Sequence, residues 1–217
     1  MAIGHTRAAR FRRRTKLCYW RIMKARLKLA IALGLGALAL AGCGGGKPWH
    51  STDITGAMPK LQFRMERAND RQIVTADNYR GRVVVLYFGY THCPDICPTT
   101  LANLAEVLKR LDTRAYEVAV LFVSVDPDRD TTDVLAKYVQ GFGREFDGLT
   151  GPPNGLMALT RRYRVLYAVT KPSAGRPYTV THSNAVFIFD RSGAARLVAT
   201  STDDISGITD DIKRLLN

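Results

Sequence analysis

The chain is short of the side chains that build a disulfide framework or a closed metal cage: 217 residues hold four cysteines and four histidines. It has no internal repeat and no low-complexity block. It also lacks a long apolar run. Residues 29–40 are uninterrupted by charge, yet about a dozen residues fall short of the roughly 20 that a spanning helix needs. Acids are missing altogether from the first 42 residues, and this explains the formal charge of +13. Ten of the 32 basic residues and none of the 19 acids precede Cys43, which leaves 22 bases against 19 acids beyond it, about +3. The basic balance therefore gives no warrant for nucleic-acid binding; the early basic residues set orientation during export.

What is present at the N-terminus reads as an address. Lys24, Arg26 and Lys28 precede the apolar residues 29–40, a basic n-region and an h-region. The segment ends in Leu40-Ala41-Gly42-Cys43, and two small residues before a cysteine resemble the lipobox of bacterial lipoproteins. The expectation is a signal region over residues 1–42, cleavage before Cys43, a lipid on Cys43, and a mature chain held at the periplasmic face of a bacterial membrane. An ordinary signal peptide or anchor with an incidental cysteine is the alternative. Met23 can begin a signal of ordinary length, so residues 1–22 read as an upstream extension. Arg13-Arg14 fits a twin-arginine signal poorly, because the apolar region is too distant. Residues 43–60, rich in Gly, Ser, Thr and Pro, read as a tether, and residues 61–217 are the size of one domain.

Cysteine arithmetic then sharpens. Cys18 lies in the removed region and Cys43 is lipidated, so Cys93 and Cys97 remain as the thiols of an oxidising compartment. No other cysteine can lock either into a bridge elsewhere.

Hydrophobic periodicity gives an α/β pattern. Residues 83–88 are uniformly apolar, as in a strand covered on both faces. Residues 98–111 carry Leu101, Leu104, Ala105, Leu108 and Leu111 at helical spacing. Residues 118–125 form a second buried strand ending at Asp126-Pro127. Asp130 or Thr131 can cap a helix through Leu135, Tyr138 and Val139. A helix is predicted over 153–163, a hairpin from 184–189 and 195–199 around the turn 190–193, and a closing helix over 203–216. Residues 61–65 and 71–75 read as a short hairpin before the first buried strand. This is the order of the thioredoxin-like fold, a central mixed sheet flanked by helices. The first strand–helix–strand unit makes a parallel pair, and the later hairpin extends the sheet on its other side.

The thiols sit where open α/β sheets place their sites, after the first central strand, in Phe88-Gly89-Tyr90-Thr91-His92-Cys93-Pro94-Asp95-Ile96-Cys97-Pro98. Each cysteine precedes a proline and tends to be extended, while Pro98 suits the first helical position. A loop above a helix N-terminus is expected, with the helix dipole favouring thiolate. Such a loop can close a disulfide or hold the sulfurs around a soft metal. A purely structural bridge constrains little chain entropy over so short a ring, and two inert buried thiols are unusual in an exported protein.

A tight metal site needs a third ligand. His50 lies in the expected tether. His92 is adjacent to Cys93, where successive extended side chains point apart. His182 precedes an apolar strand, a position where a histidine is commonly just a satisfied polar group. Asp126, at the end of the second buried strand, is either an outer partner of the site or the start of the turn 126–130.

The thiol segment closely resembles the motif of the Sco/SenC family, as do Val123-Ser124-Val125-Asp126-Pro127-Asp128-Arg129-Asp130, Gly148-Leu149-Thr150-Gly151 and the stretch 178–189 with His182-Ser183. The resemblance implies a membrane-tethered thioredoxin-like domain that binds copper, Cu(I) or Cu(II), through Cys93, Cys97 and His182. It implies a role in assembling the binuclear copper centre of cytochrome c oxidase, with the oxidase's copper-bearing subunit as partner, beside other periplasmic copper chaperones or thiol reductases. One position departs from the family: an acid often precedes the ligand histidine, and here it is Thr181. Two thiolates and an imidazole suit copper, whereas structural zinc wants a fourth protein ligand. Three functions stay open: a copper metallochaperone, a thiol–disulfide reductase that keeps the oxidase's cysteines reduced, and a copper or redox sensor. Nothing independently marks a peroxide site.

Overall fold

Residues 47–173 and 178–217 are described by a computed structural model. Among them, strands β1 (Thr52–Asp53), β2 (Arg64–Arg67) and β3 (Gln72–Thr75) lead to β4 (Val83–Gly89) and helix α1 (Ile96–Leu111). Then come β5 (Val118–Ser124), α2 (Thr132–Gln140), β6 (Phe146–Thr150) and α3 (Pro153–Arg162). The chain closes with β7 (Tyr167–Thr170), β8 (Thr179–His182), β9 (Val186–Phe189), β10 (Ala195–Ala199) and α4 (Ile205–Leu216).

The two apolar runs form the centre because neither has a face that tolerates water. Every residue of β4 and of β5 is buried, and the strands pair in parallel from Val83↔Val118 to Gly89↔Ser124. On one side β6 adds in parallel to β5 and β2 then turns antiparallel. On the other, β9 pairs antiparallel with β4. The sheet order is β1-β10-β9-β4-β5-β6-β2-β3, a mixed sheet flanked by helices as the sequence pattern predicts. Helix α1 buries Leu101, Leu104, Val107, Leu108 and Leu111 and packs against α4. Helix α2 lies so close to β6 that a Cβ on Gly148 would stand 2.7 Å from Leu135 Cγ.

Three features depart from expectation. Residues 50–60 do not behave as a bare tether: β1 pairs with β10, and the His50 and Ser51 N–H groups donate to the buried Asp211 carboxylate at 3.0 and 2.7 Å. Composition is silent about such a contact, because the acceptor lies some 160 residues away in sequence. Strand β6 was not foreseen, since Asp147 and Gly148 interrupt its apolar pattern. Strands β7 and β8 form a separate two-stranded hairpin outside the main sheet; their alternating, half-exposed residues lack an apolar run to mark them.

The expected signal region with Cys18, and Cys43 as the expected lipidation site, lie outside the described residues. No helix among the described residues is long and apolar enough to cross a membrane.

Candidate metal centre

The close of β4 and the start of α1 set the two sulfurs. Helix α1 begins at Ile96, so Cys97 and Pro98 fall inside its first turn, earlier than the prolines suggest. Proline is tolerated there because first-turn N–H groups have no intrahelical acceptor. The first helical hydrogen bond runs from Thr99 N–H to the Asp95 carbonyl, 3.1 Å. The N–H of Cys97 is thereby left free, and it donates to Cys93 Sγ at 3.4 Å.

The two thiols consequently differ. Cys93 is half-buried and Cys97 fully buried, and neither is in a disulfide. Burial pushes the Cys93 thiol up, but the N–H groups of Cys97 and Asp95, the Cys97 thiol and the Tyr90 hydroxyl outweigh it and hold its pKa below the ordinary cysteine value. Burial dominates at Cys97 and pushes its pKa to about 12. The helix terminus therefore favours thiolate at Cys93 alone, a narrower effect than expected. Tyr87, on β4, points its hydroxyl at Cys97 Sγ from 3.7 Å. Gly89, at the end of β4, makes room for that sulfur: a Cβ there would stand 2.8 Å from Cys97 Sγ and 2.6 Å from Phe122 Cε2.

His182 closes the set from the last position of β8. Its Nε2 lies 3.3 Å from Cys97 Sγ, and its Nδ1 lies 3.0 Å from the Ser183 carbonyl oxygen. A carbonyl only accepts, so Nδ1 carries the proton and Nε2 keeps its lone pair facing the sulfurs. Burial lowers the His182 pKa, although the Ser183 carbonyl works the other way, a shift toward the neutral ring that a metal ligand requires. The rings of Tyr87 and Tyr90 meet the imidazole edge-on, with centroids 6.0 and 5.8 Å away. The ligand atoms of Cys93, Cys97 and His182 all lie within 4.8 Å of one another, and no other group among the described residues gathers three such donors.

The remaining sequence candidates stand elsewhere. His92 is exposed, with Nδ1 3.1 Å from Thr91 Oγ1 and 3.6 Å from Asp130. His50 faces Asp204. Asp126 is buried but contributes no donor atom to the group. It both starts the turn, accepting from the N–H of Asp130 at 2.9 Å, and binds Arg129 Nε and the Tyr178 hydroxyl, each at 2.5 Å. Thr181 is exposed and, by strand alternation, faces away from the His182 side of β8. Sequence reasoning passed over Tyr87, Gly89 and Tyr90. A tyrosine within a fully buried strand needs a partner for its hydroxyl, and that was the available signal for Tyr87.

The sequence model of SCO1/SenC matches residues 56–217. The chain belongs to the SCO1/SenC family. Within that family it is 37% identical over 139 residues to the mitochondrial SCO2 homolog of Bos taurus, an alignment covering 63% of this chain and 52% of that protein. It thus spans about half the length of that curated relative. Its fold matches the crystal structure of Arabidopsis thaliana ScoI with copper bound, at a TM-score of 0.65 and 33% identity, covering 72% of this chain and 97% of the other. It also matches the solution structure of apo Sco1 from Thermus thermophilus, at a TM-score of 0.70 and 30% identity, covering 80% of this chain and 100% of the other. Three of the four segments that carry the family resemblance touch one another: Thr91 of the thiol loop bonds Asp130 of the turn 126–130, and Tyr178, before His182, bonds Asp126 of the same turn.

Proposed function

We propose that this SCO1/SenC protein binds one copper ion as cargo through Cys93, Cys97 and His182 and passes it to the copper-bearing subunit of cytochrome c oxidase. The observation that carries this reading is the convergence of two sulfurs and an unprotonated Nε2 within 4.8 Å. The donor set is soft and lacks the fourth protein ligand of a structural zinc site. The copper named in the Arabidopsis relative's structure supports the same metal. Cys97 gives up its proton on binding, since a thiolate is the ligand. An incoming ligand from the acceptor meets Cys93 first, because it is the more accessible sulfur. The deciding experiment is copper titration of the anaerobically reduced domain against His182→Ala. The parent takes up one equivalent, and the variant binds more weakly with an altered Cu(II) spectrum. Unchanged affinity and spectrum would remove His182 from the ligand set.

The inequality of the thiols favours a second reading, a thiol–disulfide reductase for the oxidase's copper-site cysteines. Cys93 thiolate attacks a partner disulfide to form a mixed disulfide and expel one partner thiolate. Cys97 then attacks Cys93 Sγ, loses its proton, and releases the second partner thiol. The partner gains two electrons and the Cys93–Cys97 disulfide holds the loss. Normal oxidase assembly with His182→Ala, combined with failure in both cysteine variants, favours this reading over delivery of metal.

Both readings suit a chain anchored at the periplasmic face through a lipid on Cys43. Mass spectrometry of the mature N-terminus is expected to find a diacylated Cys43; an unmodified terminus at another residue, in cells that process lipoproteins, overturns the anchor.

A further inference from the structure

The hairpin of β7 and β8 carries His182 outside the main sheet; its half-buried Tyr167 and Val180 pack against the core, and a group of polar side chains ties it down beside them. Tyr178 immediately precedes β8. Its hydroxyl donates to Asp126 Oδ1 at 2.5 Å. The other oxygen of that buried carboxylate accepts from Arg129 Nε at 2.5 Å. The Arg129 guanidinium lies over the Tyr178 ring, 3.8 Å from its centroid, and 5.7 Å from the centroid of Tyr90. Tyr90 in turn sets its ring against His182. On the other arm, Lys171, the residue after β7, pairs with Asp128 at 2.9 Å. Both arms of the hairpin are thus tied to the one turn that follows β5.

We infer that Asp126, Arg129 and Tyr178 form a latch that positions His182 against the thiols. The inference rests on the copper reading above for its consequence, though the latch itself belongs to the metal-free protein. A two-stranded hairpin has little stability of its own. What holds it at one distance from the sulfurs is therefore its attachment: beside the packing of Tyr167 and Val180 on the core, charge-assisted hydrogen bonds on a buried carboxylate and a guanidinium over the Tyr178 ring. None of the three side chains touches the ligand atoms, so they are positioning residues. Asp126 thereby acquires a role at one remove: it fixes the hairpin that carries the ligand.

Tyr178→Phe tests this with small risk to the fold, since Tyr178 is half-buried and keeps its ring on Arg129. In the metal-free domain, hydrogen exchange at the Ser183 amide, which bonds the Leu166 carbonyl at 2.9 Å across the hairpin, is expected to quicken about tenfold while the amides of β4 keep their rates. In the copper-loaded domain, affinity is expected to fall about tenfold and the Cu(II) spectrum to move toward that of His182→Ala. The Cys93–Cys97 disulfide should still form and break, because none of the three latch side chains touches the sulfurs. Asp126→Asn should loosen both attachments and give the larger change. Unaltered exchange at Ser183 in Tyr178→Phe overturns the latch, whatever copper does. If His182→Ala changes affinity and spectrum while Tyr178→Phe changes neither, the latch fails and the metal reading stands. If His182→Ala itself leaves copper binding untouched, the metal reading fails, and quickened exchange at Ser183 still supports the latch.

Discussion

Cys93 stands between β4, buried along its whole length, and α1, which sends five apolar side chains into the core, and Cys97 lies in the first turn of that helix. His182 ends a hairpin whose residues alternate between exposed and half-buried and which shares no strand with the main sheet. Two of the three candidate ligands therefore flank the buried centre of the sheet, and the third comes from a half-exposed hairpin. Affinity for a soft ion rests first on the sulfurs. The geometry of the third bond rests on whatever holds the hairpin, so a site of this kind can let go of its histidine without unfolding.

The largest expected effect comes from removing a sulfur. Cys93→Ser or Cys97→Ser should each lower copper affinity by more than about a hundredfold, beyond what loss of an outer hydrogen-bond partner produces, as read by competition with a calibrated chelator. Oxidised protein should bind as poorly, since a disulfide leaves only His182. Undiminished affinity in both variants would erase the distinction between the two regions. His182→Ala should cost less than the loss of a sulfur and leave the disulfide free to form and break, because imidazole carries no electrons in thiol exchange. Equal losses from the histidine and the cysteines would show the two regions acting as one rigid unit.

Gly89→Ala probes the rigid side alone. The added Cβ meets Phe122 and Cys97 Sγ below contact distance, and overpacking of this kind costs about 1–3 kcal/mol. Urea denaturation of the metal-free domain should show it, and copper affinity should fall as Cys97 shifts. An unchanged midpoint would mean that the core beside the thiols is softer than its burial implies.

The smallest effect is a pH profile that separates the two sulfurs. Cys93 should be alkylated with a midpoint below the ordinary thiol value, and Cys97 should resist until strongly alkaline pH. Cys97 ionises at about 12 in the folded chain against an ordinary value of 9.0. Between those values the unfolded chain releases a proton that the folded chain retains. Its contribution to stability is thus complete below pH 9 and lost as pH rises toward 12. Thermal melts of the reduced domain across that range should fall with pH, and Cys97→Ala should flatten the fall.

The uneven legibility of this chain has a local cause. Strands β4 and β5 and helix α1 announce themselves because their apolar spacing is written within a few consecutive residues. Strand β6 is masked by Asp147 and Gly148, which answer to partners far off: Asp147 accepts from Tyr79 at 2.8 Å, and Gly148 yields to Leu135. The hairpin of β7 and β8 has only a half-buried face, and its inward residues Tyr167, Val169, Val180 and His182 mix apolar with polar, which blurs the pattern. His182 stood out from the residues alone as no more than a polar group before a strand, and became a ligand candidate through the family resemblance.

By itself, then, the sequence determined the α/β order, the parallel central pair and the place of the thiols at a helix N-terminus, since each follows from propensity and periodicity over short stretches. Only the tertiary structure decided which sulfur is buried, that the Ser183 carbonyl leaves Nε2 of His182 free, and that Asp126, Arg129 and Tyr178 meet. The His182–Cys97 and Tyr178–Asp126 contacts join residues 85 and 52 positions apart, and contacts of that separation exist only once the sheet has brought the strand ends together.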